Sequence, residues 1–239
     1  MAEFIKGFGV LIGYFALCAL SALAVKHYLS PPREVFRKIL HFILLGSIFI
    51  FTYLMDSWWM AAIQVLAFVV VVYPALVAAE TIPGYSELLI ERKKGEIKGS
   101  LIAVFVMFFV LICVCWGWLG QKYLVIASVI AWGFGDAAAA LVGKRFGKNY
   151  IQGRMVEGRK SLEGTLAMFV AAFFSVLAVL AINVSMSWSG YLLIACITAA
   201  VSAFVELFTK NGMDTLTCPF SAAFTMILLL PSLGGVHLV

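Results

Sequence analysis

Residues 131–165 read AWGFGDAAAALVGKRFGKNYIQGRMVEGRKSLEGT, and this stretch decides how the rest of the chain is interpreted. It begins as an apolar helix containing one acid, Asp136, and ends where Ser161 opens the next apolar run. The segment between them is basic and rich in glycine: Lys144, Arg145, Lys148, Arg154, Arg159, Lys160, Gly143, Gly147, Gly153 and Gly158, with Gly164 just beyond Ser161. A carboxylate inside a membrane helix is costly and usually functional, and a cationic glycine-rich loop between helix ends suits phosphate groups. The stretch predicts a metal and phosphate site at a membrane surface.

The composition of the whole chain is that of a membrane protein. Of its 239 residues, 64% are hydrophobic and 12% are charged, which is about half the charged fraction of a soluble domain. We therefore expect an all-α, polytopic helical bundle that forms a single integral-membrane domain over 1–239. Membrane lipids are its expected neighbours, no nucleic-acid partner is expected, and oligomerisation is left open.

Eight apolar runs are long enough to cross a bilayer. They are predicted as helices at 7–25, 39–55, 57–79, 99–119, 121–143, 162–184, 187–208 and 215–235. The first run also has features of a signal peptide, but the basic stretch after it resists export, so we interpret it as a membrane helix. A short interfacial helix is predicted at 86–94.

Basic residues fall on alternate connectors of this eight-helix pattern. The connectors after helices 1, 3, 5 and 7 share one side of the membrane and carry 15 of the 17 Lys and Arg residues, while the other side carries Lys6 and Lys122. Positively charged loops stay in the cytoplasm. The loop 144–160 is therefore predicted to face the cytosol, and both termini are predicted to face the opposite side.

Three further acids accompany Asp136 near the predicted cytosolic side: Glu163, Glu206 and Asp214. Two or three converging carboxylates would bind Mg²⁺, which prefers oxygen ligands together with substrate phosphates. The alternative for Glu206 and Asp214 is ordinary polarity at a helix end. The alternative for Asp136 is an ion pair that serves helix packing alone.

The basic loop also has two interpretations. A solvated loop that only fixes membrane orientation would explain its charge. Against that, Ser161 suits a helix N-cap, the amides after it would point at an anion, and Arg159 and Lys160 just before it would clamp phosphate oxygens.

A second basic cluster opens the second helix. Arg37 and His41 share one helical face, with Lys38 beside them. They are interpreted either as interfacial anchors or as a cationic wall for a phosphate or a lipid headgroup.

Three segments together resemble one known family. They are GDAAAALVGKRFGK at 135–148 with RKSLEGT at 159–165, PREVFRKILHF at 32–42, and VELFTKNGMDTLTCPF at 205–220. These segments resemble the CTP-dependent lipid-alcohol kinases: dolichol kinase, phytol (prenol) kinase and the fungal-type diacylglycerol kinase. The resemblance covers about 30–225. In the late segment, Thr215 stands where the family usually has Asn, so the polar contact at that position differs.

The resemblance implies a membrane kinase that transfers a phosphoryl group from CTP to a lipid alcohol, with Mg²⁺ as cofactor. It implies catalytic roles for Asp136, Lys160 and Glu206, and metal binding by Asp136, Glu163 and Asp214. The residues expected to bind nucleotide or phosphate are Lys144, Gly147, Lys148, Arg159, Lys160, Ser161, Gly164, Arg37, Lys38 and His41.

Two other functions are kept as alternatives. Phosphatidate cytidylyltransferases share part of the central motif, but their C-terminal Pro-Gly-His-Gly-Gly block is absent from this chain, which ends PSLGGVHLV. A transporter of an anionic lipid or solute would also use an intramembrane acid beside cations. An inverted repeat would favour the transporter, and the sequence shows no clear one.

Overall fold

The structure, a computed structural model, describes residues 2–81, 85, 95–151, 153, 156, 158, 160–210 and 212–233. The described residues form eight helices that are long and apolar enough to cross a membrane. They are α1 (Ala2–Leu29), α2 (Arg33–Tyr53), α3 (Trp58–Ala79), α4 (Glu96–Leu111), α5 (Lys122–Phe146), α6 (Leu162–Asn183), α7 (Trp188–Phe208) and α8 (Asp214–Ser232). A π-helix, Ile112–Trp118, continues α4, and two strands, β1 (Tyr150–Ile151) and β2 (Lys160–Ser161), pair between α5 and α6. The predicted all-α membrane bundle is confirmed.

Helix α1 ends later, and α2 begins earlier, than the apolar runs 7–25 and 39–55 predict. The predicted basic connector 26–38 is too long, because α1 continues to Leu29 and α2 already begins at Arg33. Hydropathy marks the part of a helix that lies in lipid, whereas Lys and Arg are good helix formers that prolong it into water. Pro31 and Pro32 break the helix between them. The predicted interfacial helix at 86–94 lies outside the described residues.

The chain divides into two compact units, Met1–Cys113 and Val114–Val239. The first has an aromatic core in which the Phe68 ring stacks on Phe15 and Phe105, with centroids 4.7 and 4.8 Å apart. An ion pair of 2.8 Å joins Lys98 to Glu80 in the same unit. The organisation of 1–239 as a single domain stays a prediction.

The second unit is built around α5, the most buried of the eight helices, which contacts α6, α7 and α8. Its last turns lie very close to the start of α6. A Cβ at Gly164 would lie 2.9 Å from the Ala139 carbonyl oxygen and 3.2 Å from the Gly143 Cα. A Cβ at Gly147 would lie 2.9 Å from the Ser161 Oγ. The small residues of the central motif therefore let two helix backbones touch, as small residues do in membrane interfaces.

The Gly164→Ala variant is expected to lose about 1–3 kcal/mol of unfolding free energy, the usual cost of overpacking. The added methyl would meet backbone atoms of α5, which cannot rotate away. Thermal unfolding in detergent measures the loss.

Gly99→Ala in α4 is the matched control, because no described atom lies within 4 Å of a Cβ there. Replacing this helical glycine should stabilise by up to about 1 kcal/mol. Equal stability of the two variants would contradict the close packing at Gly164.

Candidate active site

In the second unit the end of α5 lies against the start of α6, and short connections join α6 to α7 and α7 to α8. The ends of α5 and α7 and the beginnings of α6 and α8 therefore share one end of the unit. We call this region the motif end, because it contains Lys160, Ser161, Glu206 and Asp214. The residues that the sequence singles out around the central and late segments are thus brought together by topology.

A short antiparallel ladder shapes the loop between α5 and α6. Tyr150 pairs with Ser161, and Ile151 pairs with Lys160. The sequence analysis missed these strands, since two residues are too few to show an alternating pattern. The ladder fixes Lys160 and Ser161 at the start of α6. Arg159, a predicted phosphate-binding residue, lies outside the described residues.

Ser161 is the N-cap of α6, as predicted. Its Oγ accepts a hydrogen bond of 3.1 Å from the Gly164 amide, and the residue is only 3% exposed. Such caps contribute about 0.5–2 kcal/mol. The Leu162 amide donates to the Asn149 carbonyl at 2.9 Å. Two amides after Ser161 are therefore bonded within the protein, and phosphate binding by the amides that follow this cap stays a prediction.

Glu163, a predicted metal ligand, is bonded to the loop that enters the ladder. Its carboxylate accepts hydrogen bonds from the Asn149 side-chain amide at 2.9 Å and from the Asn149 backbone amide at 3.2 Å. The carboxylate therefore fixes the loop against the first turn of α6. Its part in metal binding stays a prediction.

Lys160 reaches across the motif end to the last turn of α7. Its ammonium lies 2.9 Å from the Glu206 carboxylate, donates to the Glu206 carbonyl, and lies 3.4 Å from the Thr209 carbonyl. The last carbonyls of a helix have no helical donors and carry partial negative charge. The Lys160 ammonium thus caps the C-terminal end of α7. Lys160 and Glu206, two predicted catalytic residues, are in direct contact.

Three carboxylates lie around the fully buried thiol of Cys218 in α8. The carboxylates of Asp214, Glu206 and Asp136 are each close enough to interact with it electrostatically. Asp136 is half-buried in α5 and lies ten residues, or about 15 Å, before the helix end. The convergence of these acids on one metal stays a prediction.

The described side chains do not form a complete metal site by themselves. Among the described residues, no group of three His, Cys, Asp or Glu side chains is placed to bind one metal ion. Magnesium is usually held by one or two carboxylates, with phosphate oxygens and water completing its shell. Two of the carboxylates near Cys218 are therefore as many as a metal shared with substrate phosphates needs, and metal binding by Asp136 and Asp214 stays a prediction.

The remaining predicted cations have different surroundings. Lys144 and Lys148 are exposed at and just beyond the end of α5. Arg37, in the first unit, forms ion pairs with Glu34 at 3.2 Å and Glu96 at 2.8 Å. These pairs compensate its charge locally and favour its interpretation as an anchor. Phosphate binding by Arg37, and by the half-buried neighbours Lys38 and His41, stays a prediction.

Two threonines that the sequence analysis did not single out also lie at the motif end. The hydroxyl oxygens of Thr209 and Thr217 are 3.0 Å apart. Both belong to the late segment 205–220, so the motif contained them, but it gave no signal that they touch. Their contact depends on the turn between α7 and α8, where Gly212 has a φ of +72°.

Comparison with known proteins gives one informative relative. No family model matches the chain, and no solved structure matches it. The chain is 28% identical over 230 residues to the phytol kinase of Synechocystis sp., and the similarity covers 90% of this chain and 88% of that protein. This similarity along nearly the whole length confirms the predicted resemblance of the chain to the lipid-alcohol kinases.

Proposed function

We propose that the protein is a membrane kinase that transfers the γ-phosphoryl group of CTP to the hydroxyl of a lipid alcohol. The observation that carries this proposal is the similarity to a phytol kinase over 90% of the chain. The contacts at the motif end support it, because they join residues of the central and late segments.

The reaction forms a bond between the alcohol oxygen and the γ-phosphorus and breaks the bond from that phosphorus to the β-bridging oxygen. The products are the lipid phosphate, CDP and a proton. Catalysis of this step rests on in-line positioning and on compensation of the phosphate charge. Lys160 is proposed to compensate that charge, and Asp136 is proposed to accept the alcohol proton.

The residues that would hold Mg²⁺ are Asp136 and Asp214, with the nucleotide phosphates supplying further oxygens. A bound Mg²⁺ would neutralise charge on the phosphate oxygens. Glu206 is proposed to orient Lys160 through their ion pair. Lys144 and Lys148, as exposed cations, are proposed to meet the outer part of the triphosphate.

The distribution of Lys and Arg residues supports a proposal about which side of the membrane the motif end faces. Because 15 of the 17 Lys and Arg residues fall on one set of connectors, the motif end is proposed to face the cytosol, where CTP is present.

Membranes containing the protein are expected to convert a prenol to its phosphate with label from CTP carrying a labelled γ-phosphate. The same membranes should transfer no label to lipid from CTP carrying a labelled α-phosphate, because the α-phosphate leaves as part of CDP. Thin-layer separation of the lipids measures both, with matched ATP reactions to test nucleotide preference.

A cytidylyltransferase would give the opposite pattern, with the α-label in a CDP-lipid and the γ-label in pyrophosphate. Neither label in lipid, across prenols, phytol and diacylglycerol, would overturn the kinase proposal.

A further inference from the structure

Two hydroxyl groups buried in the second unit have no hydrogen-bond partner among the described residues. They belong to Thr198 and Ser202 of α7, and both residues are fully buried. Three other buried helical hydroxyls behave differently, because Thr52, Ser128 and Thr225 each donate to the carbonyl four residues earlier. A buried hydroxyl without any partner is costly. The pair on α7 therefore calls for a hydrogen-bonding group that is not a side chain of the described residues.

The two hydroxyls are spaced for a single water molecule. Thr198 and Ser202 are four residues apart and share one face of α7, where neighbouring Cβ atoms lie about 5–6 Å apart. A water molecule that makes a hydrogen bond of about 2.8 Å to each hydroxyl spans the same distance. Glu206 lies one further turn along this face, at the motif end. A polar stripe on α7 therefore leads from the motif end to the pair.

Cys218 and Asp136 lie beside the pair. The Cys218 thiol in α8 donates to the Ser202 carbonyl at 3.9 Å, and the Asp136 carboxylate is close enough to the same thiol to interact with it electrostatically. Asp136 and Thr198 each lie ten residues before the end of their helix, so both lie roughly 15 Å from the motif end. An internal water molecule usually has about three polar partners, and the Asp136 carboxylate supplies an acceptor at this depth.

The side chains around the pair are small, which suits an internal water. Ala199 and Ala203 adjoin the two hydroxyl residues on α7, Ala222 lies one turn beyond Cys218 on α8, and all three alanines are buried. The core of the first unit is filled instead by stacked phenylalanine rings. Water occupies interior sites that have polar partners and enough room, whereas apolar interiors stay dry.

We propose that Thr198 and Ser202 bind an internal water molecule that also contacts the Asp136 carboxylate. The second unit then has a hydrated site inside the bundle, held by two hydroxyls and one acid. The rival arrangement rotates both side chains toward carbonyls of their own helix, those of Ile194 and Thr198, as Ser128 does in α5, and it leaves the interior dry. The inference concerns the binding of water and is independent of the proposed kinase activity.

Radiolytic hydroxyl-radical footprinting of the purified full-length protein tests for this water, because the radicals form from water and modify the side chains next to it. Cys218 and Cys115 are matched reporters, since both are fully buried free thiols. Cys115 belongs to the π-helix before α5, away from the two hydroxyls. Cys218 should be oxidised several-fold faster than Cys115, as measured by mass spectrometry. Equal, slow oxidation of both thiols overturns the proposal.

Removing the two hydroxyls should remove the water. In the double variant Thr198→Val, Ser202→Ala, oxidation of Cys218 should fall to the rate of Cys115. Thr225→Val is the matched control, because the Thr225 hydroxyl is buried but bonded within its own helix, and it should leave Cys218 oxidation unchanged. Fast oxidation of Cys218 that persists in the double variant overturns the assignment of the water to these hydroxyls.

Thermal unfolding of the single variant Thr198→Val gives a second test that depends on no reporter. Valine replaces the hydroxyl by a methyl group of similar size. Loss of a bound water should lower the Tm, whereas removal of a buried hydroxyl that has no partner should raise it. A raised Tm in a well-folded Thr198→Val protein overturns the proposal.

Discussion

The Asp136→Asn variant is expected to lose turnover by roughly a hundredfold or more, as when a charged group acting on the transition state is removed. Asparagine keeps the size of the side chain and removes its negative charge. Because an ionised group is costly to bury and Asp136 is half-buried, the variant should be at least as stable as the native protein. Loss of activity with stability held or improved is the signature of a functional acid.

A second experiment tests metal binding by Asp136 through thermal unfolding, and it does not require enzymatic activity. Mg²⁺ together with CTP should raise the unfolding temperature of the wild-type protein, since ligands stabilise the state that binds them. The same addition should leave Asp136→Asn unchanged if Asp136 holds the metal. Thermal unfolding with CTP alone, Mg²⁺ alone and both together measures this coupling.

Asp56→Asn is the control for the chemical change, because Asp56 is exposed between α2 and α3. It should retain full activity. A well-folded Asp136→Asn protein with wild-type turnover would show that Asp136 serves packing alone, and it would remove the centre of the proposed mechanism.

The Lys160→Ala variant is expected to raise the KM for CTP or lower kcat by about tenfold or more, since a charged hydrogen bond contributes about 1.5–3 kcal/mol. The structure adds an expectation about stability. Lys160 also donates a hydrogen bond to the Glu206 carbonyl at the end of α7 and forms an ion pair with the Glu206 carboxylate. Side-chain exposures of 19% and 14% place this pair between a surface and a buried one, so its loss should cost about 2 kcal/mol.

Two controls separate these roles. Arg145→Gln removes an exposed cation from the last turn of α5 and should change neither CTP affinity nor stability. Glu206→Gln weakens the ion pair but leaves the ammonium, so it should affect the KM for CTP less than Lys160→Ala does.

Equal and small kinetic effects of Lys160→Ala and Arg145→Gln would identify the loop as an orientation signal only. Equal kinetic effects of Lys160→Ala and Glu206→Gln would assign Lys160 to positioning α7, with no direct part in nucleotide binding. Initial rates over a range of CTP concentrations distinguish these results.

The membrane helices are the part of the fold that the sequence by itself determined. A bilayer requires about 20 apolar residues per crossing, and each of the eight apolar runs lies within one of the observed helices or overlaps it closely. The sequence also predicted Ser161 as the N-cap of α6, because an N-cap is a hydrogen bond between residues only three positions apart. The predicted positions of the helix ends were less accurate, because hydropathy indicates which residues contact lipid and does not indicate where the helical backbone ends.

The tertiary structure alone decided which of the singled-out residues touch. Lys160 and Glu206 are 46 residues apart in the chain, and no periodicity predicts that the ammonium closes the end of α7. The glycines of the central motif suited phosphate binding equally well by sequence, yet Gly143, Gly147 and Gly164 lie where two helix backbones meet. The contact of Thr209 with Thr217 also depends on how α7 and α8 pack. Such contacts are set by distances between elements far apart in sequence, whereas hydropathy and capping are properties of neighbouring residues.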